Sequence, residues 1–303
     1  MKKILFVFLL FTTALFAQKN DKNWAKVASY ENEGKIKSAN EIVDKIYKKA
    51  VSRKDEVQMI KCFFYQSKYL QVVDENAKTK ILDHLKTDIS RVSTPSKAIL
   101  NLIYAKCLIN YSNNDEAYAV VDSAAAVVDE AVAILDSVSF DADTVAVPID
   151  TTAVVDIEEN ENASIDFTSE KKIIALYEQT LENESILKKT SLTKYKAIFN
   201  FLTLEKLKKE NLYDYLLKEN ITFFTEKIDR WEIENSQMPA YKNELLGNSE
   251  AFLALDLNFI KEENFKKVLL LYQKLESGNP SLENQFDRII FCSEFMPQPS
   301  EDL

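Results

Sequence analysis

The stretch KIKSANEIVDKIYKKA, residues 35–50, decides how the rest of the chain is read. Ile36, Ala39, Ile42/Val43, Ile46/Tyr47 and Ala50 fall three or four apart and form one stripe along an α-helix. The following stretch, DEVQMIKCFFYQSKYL (55–70), repeats that geometry with Val57, Ile60, Phe63/Phe64, Ser67 and Leu70. The polar link ENEGK around Gly34 is short, which implies antiparallel neighbours. Thr94 followed by Pro95 reads as an N-cap with proline at the first helical position, opening a helix through AILNLIYA (98–105).

From residue 167 the pattern resumes. KKIIALYEQTLE (171–182), KYKAIFNFLTLEKL (194–207), NLYDYLLKENITFF (211–224), EAFLALDLNFI (250–260), FKKVLLLYQKLE (265–276) and ENQFDRIIFCSEF (283–295) read as successive amphipathic helices. Asn211, with Asp214 three residues later, resembles a capping box. Only three glycines, Gly34, Gly247 and Gly278, occur in 303 residues. Sheet turns and phosphate-cradling loops both consume glycine, so its scarcity beside 46% apolar content points to an all-helical core. Tyr30, Gly34 and Ala39 keep the spacing of the tyrosine, tight-turn and small-residue positions of the tetratricopeptide motif. Val268, Tyr272, Leu275 and Pro280 keep that of its second helix and closing proline. No repeat period runs through the chain. The expected fold is therefore all-α, with stacked antiparallel helix pairs of solenoid type in two halves.

The expected organisation follows from composition. Residues 1–17 carry Lys2 and Lys3, an apolar run from Ile4 to Phe11 and a cleavage position after Ala17, which reads as a secretory signal peptide. The apolar run is short and no other segment is long and apolar enough to span a bilayer, so an exported chain in the periplasm or at the outer surface is expected. Helical halves occupy 18–112 and 167–296, an acidic linker 113–166, and a tail 297–303. The net charge of −10 is uneven: between Lys106 and Lys171 there are fifteen acids and no base. That leaves 33 acids against 38 bases elsewhere. No basic stripe with interleaved aromatics occurs, so nucleic acid is not an expected partner.

Within the linker Asp115, Asp122, Asp129, Asp136, Asp143 and Asp150 recur every seven residues. Ala117, Val121, Ala124, Val128, Ala131 and Leu135 could form a narrow helical seam. Three units are few, stacked aspartates repel, and Pro148 intervenes, so a short helix running into an extended tether is expected. Asp122, Asp136, Asp143 and Asp150 each precede Ser or Thr, as no other aspartate does. These triplets resemble the acceptor of a periplasmic bacterial O-glycosylation system, which makes Ser123, Ser137, Thr144 and Thr151 candidate glycan sites; a chance spacer is the competing explanation.

No catalytic constellation is present. His84 in ILDHLK is the only histidine and reads as a rim residue rather than a metal ligand. Cys62 and Cys107 sit in apolar helical runs as small core residues, and Cys292 is the third thiol. No Gly-rich phosphate loop, HExxH or GxSxG occurs, so no cofactor or metal is expected. Tyr213 and Tyr215, with Phe223/Phe224 nearby, read first as core packing. Together with Trp231 they would serve as a ligand platform only if open to solvent.

WAKVASYENEGKIKSANEIVDKIYKKAVSRKDEVQMIKCFFYQSKYL (24–70) resembles the N-terminal helical region of bacterial alpha-2-macroglobulin-like proteins. The matching phrases are Trp24, Glu33-Gly34, Ser38-Ala39, Ile46 to Ala50 and Gln58 to Cys62. DFTSEKKIIALYEQTLEN (166–183) and NLYDYLLKENITFF (211–224) are similar to later phrases of that region. The resemblance implies a helical module and nothing of protease trapping. The macroglobulin, bait and thioester parts have no counterpart, and Cys292-Ser-Glu-Phe295 lacks the thioester glutamine.

The expected function is an exported, non-enzymatic helical scaffold or interaction module with a protein or envelope partner. The alternative is a periplasmic, tetratricopeptide-like protein that captures a peptide or glycan on exposed aromatics.

Overall fold

The computed structural model describes residues 22–112, 170–199, 202–234 and 238–296. Among them every regular element is a helix, and the one β feature is an isolated bridge between Ser191 and Asn211. Adjacent helices pack as pairs, as the sequence implies. None is long and apolar enough to cross a membrane. Contacts divide the described residues into two compact units: those up to Leu176 together with 195–199 and 202–203, and those of 177–194 together with those from 204 onward. Ser123, Ser137, Thr144 and Thr151 lie outside the described residues, as does residues 1–17.

The first unit begins with α1 (22–32), α2 (Ile36–Arg53), α3 (Glu56–Val73), α4 (Ala77–Arg91) and α5 (Thr94–Ser112). Two turns of the same kind join the first three. Gly34 adopts φ +69°, its N–H reaches the Glu31 carbonyl, and the Lys35 N–H reaches back to Tyr30. Twenty residues on, Lys54 at φ +54° donates to Val51 while the Asp55 N–H donates to Ala50. Each is a left-handed helix terminus that satisfies two orphan carbonyls. Asp55 then accepts from the Gln58 N–H, so a two-residue link ends α2 and caps α3.

The α2 stripe is inward as read: Ala39, Val43 and Ile46 join Val27 of α1 and Cys62, Tyr65 and Tyr69 of α3 in one core cluster. α3 is buried on more than one side, because α2 packs against one face and α4 and α5 against others. α5 is buried nearly all round. It starts at Thr94, one residue earlier than the cap reading, with Ser93 in the cap position and its carbonyl accepting the Lys97 N–H at 2.8 Å. The Glu56 carboxylate accepts from the Ser93 N–H (2.7 Å), the Ser93 hydroxyl (2.7 Å) and the Ser96 hydroxyl (2.6 Å). The Ser96 Oγ also lies 2.8 Å from the Tyr195 hydroxyl, and both residues are fully buried.

Helix α6 (Glu170–Thr180) contributes its first residues to this unit and its last to the other. The second unit is built on α7 (Leu212–Thr225), α8 (Glu263–Gly278) and α9 (Leu282–Glu294), with short helices such as Lys242–Leu245 and Ser249–Leu253. Two expected helices are broken. KYKAIFNFLTLEKL gives a 3₁₀ turn over Leu192–Tyr195 and a separate helix Leu204–Lys209. Its apolar residues Tyr195, Ile198 and Phe199 span a single turn, and that spacing fits one turn without requiring a helix. EAFLALDLNFI stops at Leu253 because Asp256 accepts from the Asn258 N–H and starts a 3₁₀ turn instead. The three cysteines are unpaired: Cys62 and Cys292 are buried and Cys107 half-buried. Burial pushes the Cys107 and Cys292 thiols up to about 12, so neither is a thiolate near neutrality.

Candidate functional site

The second unit carries a groove whose walls are α7 and α9 and whose floor is α8. Both walls are fixed by buried polar ties. At the start of α7, Asn211 Oδ1 accepts the Asp214 N–H at 2.9 Å, completing the expected cap. The Asp214 carboxylate in turn accepts from Asn211 Nδ2 (3.0 Å) and from Asn279 Nδ2 (3.2 Å), which joins α7 to the α8–α9 connection. Burial holds the Asp214 carboxyl above its usual range.

The α9 wall hangs on Arg288, which is completely buried. Its Nε donates to Glu276 Oε1 at 2.6 Å, its Nη2 to the Gly247 carbonyl at 2.8 Å, and its Nη1 to the Leu245 carbonyl. The guanidinium lies 4.3 Å over the Phe252 ring, and the Ser249 hydroxyl donates to the second Glu276 oxygen. A Cβ at Gly247 would collide with the Asn243 carbonyl, so the carbonyl meeting Arg288 comes from a position only glycine fits.

The groove holds about 490 Å³. Ile221 and Thr225 of α7, Tyr272 and Leu275 of α8, and Ile290 and Phe291 of α9 give it an apolar lining. Its charged rim is mostly acidic: Glu226, Asp287 and Glu294 face one cation, Lys218. Lys218 is already 2.8 Å from the nearly buried Glu210. Glu294 meets Arg230 only at 3.9 Å. Burial raises the Asp287 carboxyl pKa, Lys218 lowers it, and Glu283 raises it further.

Helix α9 continues this surface outward. At about 100° per residue, Leu282, Phe286 and Ile290 stand side by side, then Glu283, Asp287 and Glu294, then the groove-facing Phe291. The first three are 83%, 61% and 44% exposed. The only base on α9 is the buried Arg288.

The first unit holds the other polar cluster. Tyr47 of α2 donates to Asp88 Oδ1 at 2.5 Å, and His84 Nε2 lies 3.4 Å from Asp88 Oδ2, both acceptor and imidazole on α4. Tyr47 and Phe63 pack edge-on against the imidazole, with centroids 5.3 and 5.5 Å away. Desolvation pushes the Asp88 carboxyl up and the His84 imidazole down, so the surroundings disfavour both charges. The cluster is a polar tie between α2 and α4. No group of three or more His, Cys, Asp or Glu able to hold a metal occurs among the described residues.

The aromatic candidates fall in different environments. Tyr213 is 1% exposed on the inner side of α7, its hydroxyl donating to Glu184 at 2.9 Å, so it is not a surface residue. Tyr215 is half-buried. Trp231 is 80% exposed on the short helix Arg230–Glu234. His84 sits at a rim, a quarter exposed. Sequence reasoning missed Arg288 and the outer line of α9. The signal for the latter was available: Phe286, Ile289, Ile290, Phe291 and Cys292 make an apolar arc wider than one core-facing stripe needs.

Comparison of the chain with models of known protein families, with characterised proteins and with solved structures finds no match.

Proposed function

We propose that this chain is an exported, non-enzymatic helical interaction module that engages a protein or envelope partner through its second unit. One observation carries the reading: a rigidly walled groove runs into three large apolar side chains held in solvent on α9. Exposed leucine, phenylalanine and isoleucine in a line are characteristic of recognition surfaces rather than of scattered surface apolarity. The kinship with the N-terminal helical region of alpha-2-macroglobulin-like proteins belongs to this proposal, supported by the ordered phrases and the paired helices. So does a tetratricopeptide-like use of those pairs, with Gly34 in the tight turn and Ala39 fully buried beside it. The glycan sites Ser123, Ser137, Thr144 and Thr151 also remain proposals, tested by intact mass of the native protein.

Photocrosslinking in the native host tests the main reading. A photoreactive residue at Phe286 is expected to give discrete adducts, and one at the exposed Lys48 of α2 is expected to give none. Absence of adducts at Phe286 overturns it. A second reading, capture of a peptide or glycan on an aromatic platform, is favoured only by the exposed Trp231 indole. It requires Trp231→Ala to abolish ligand retention while Phe286→Ser does not.

A further inference from the structure

We infer that the outer face of α9 and the adjoining groove edge receive a basic amphipathic helix of a partner protein. This rests on the interaction-module reading and specifies the chemistry of its partner.

Leu282, Phe286 and Ile290 are spaced by four and form a ridge of the kind that packs into the groove of another helix. The ridge spans about 12 Å, two turns and a little more, which suits one helical segment rather than a domain face. An extended peptide would bring unpaired backbone groups to a surface of helix side chains, with no sheet edge to receive them. Helix-in-groove recognition satisfies the partner's backbone internally.

Charge selects the partner. Beside the ridge stand Glu283, Asp287 and Glu294, with Glu226 across the groove. Lys218 and Lys206 act on Asp287 electrostatically, yet Lys218 is already engaged by Glu210, and the acids lining the groove outnumber the one cation that lines it. A partner placing lysine or arginine beside its apolar face meets these acids, of which Asp287 is the one partly desolvated, and there a charge-assisted contact is strongest. A second copy docking through this same face is disfavoured, because α9 offers acids and no exposed base to meet them.

The test uses the full chain and three synthetic peptides of about four helical turns: one with leucine along one face and lysine on its flanks, the same with glutamate for lysine, and a scrambled lysine peptide of equal charge. Binding is read by fluorescence anisotropy. The amphipathic lysine peptide is expected to bind at least about tenfold more tightly than the other two. Ile290→Ser and Asp287→Lys are each expected to weaken it about tenfold, and Asp287→Lys to improve the glutamate peptide. Both positions are exposed, and unchanged thermal melts show that the variants are folded. Equal binding of the scrambled peptide, or indifference to both substitutions, overturns the inference, since the acidic stretch 113–166 would then be the attractor. Equal binding of the glutamate peptide, binding of none, or a dimer in sedimentation that Ile290→Ser dissolves also overturns it. The module reading falls separately, when Phe286 gives no crosslinks in the host.

Discussion

Glu276 in the second unit and Asp88 in the first are both removed from water, yet only Glu276 meets an equally buried cation. Arg288 gives it a 2.6 Å charge-assisted bond and a second at 3.5 Å, Ser249 also serves its other oxygen, and two further guanidinium bonds go to the Leu245 and Gly247 carbonyls. Asp88 has a tyrosine hydroxyl and an imidazole whose own charge is disfavoured by burial. The difference teaches what a helical core requires of a charge. A charge inside it is held by an equally buried and hydrogen-bonded counter-charge, and where that is missing, as at Asp88, burial favours the neutral form.

The sharpest way to break the comparison is to strip Glu276 of its cation. Arg288→Met leaves a buried carboxylate and two carbonyls without their donor, and is expected to cost about 3–5 kcal/mol. Arg288→Met with Glu276→Met removes both charges and is expected to recover much of that loss. Denaturant unfolding of the native chain and both variants checks it; a double variant no more stable than the single contradicts the account.

Glu56 is the intermediate case, a carboxylate that accepts from Ser93 and Ser96 at the start of α5. Glu56→Ala should cost about 1–2 kcal/mol, the scale of a lost helix cap. Urea midpoints measure it, and a change within error would show that Ser93 and Ser96 find other acceptors.

The smallest effect concerns Asp88, and its sign is opposite. Its folded carboxyl keeps a proton to higher pH than the unfolded one, so stability is lost as pH rises from about 4 through the folded value. Asp88→Asn should therefore raise the melting temperature at pH 7, and the gain should fade near pH 4. His84 acts from the other side. Below about pH 6.5 the unfolded chain takes a proton that the folded imidazole resists, so the native chain loses stability on acidification and His84→Gln should lose less. Melts from pH 4 to 8 decide both; a lower melting temperature for Asp88→Asn at pH 7 refutes the first.

Much of the fold was legible because local rules agree with packing. The α2 stripe, the Gly34 turn and the Asn211 cap each depend on residues within one or two turns of one another. What stayed hidden depends on distant partners. Nothing in QFDRIIF distinguishes an arginine that turns inward from one facing water, because its four acceptors lie on Glu276, Leu245 and Gly247. Glu56 likewise resembles any first-turn acid of its own helix, although it caps another. The candidate surface was half legible. The ridge on α9 was present in the letters, but its exposure follows from α8 and the Arg288 contacts claiming the opposite side.

Tyr195 returns to the first unit long after α5 has been made, with Ile198 and Phe199 buried beside it. About ninety residues separate the end of α5 from the end of that segment. At ordinary rates of synthesis they take roughly 5–20 seconds to appear. Through that interval α1–α5 can pack with Ser96 held by Glu56 but without Tyr195 and its apolar neighbours over it, longer than such helices need to collapse on one another. The unit is therefore finished by a late arrival, and its vulnerability to proteases and to premature association is a matter of timing during manufacture.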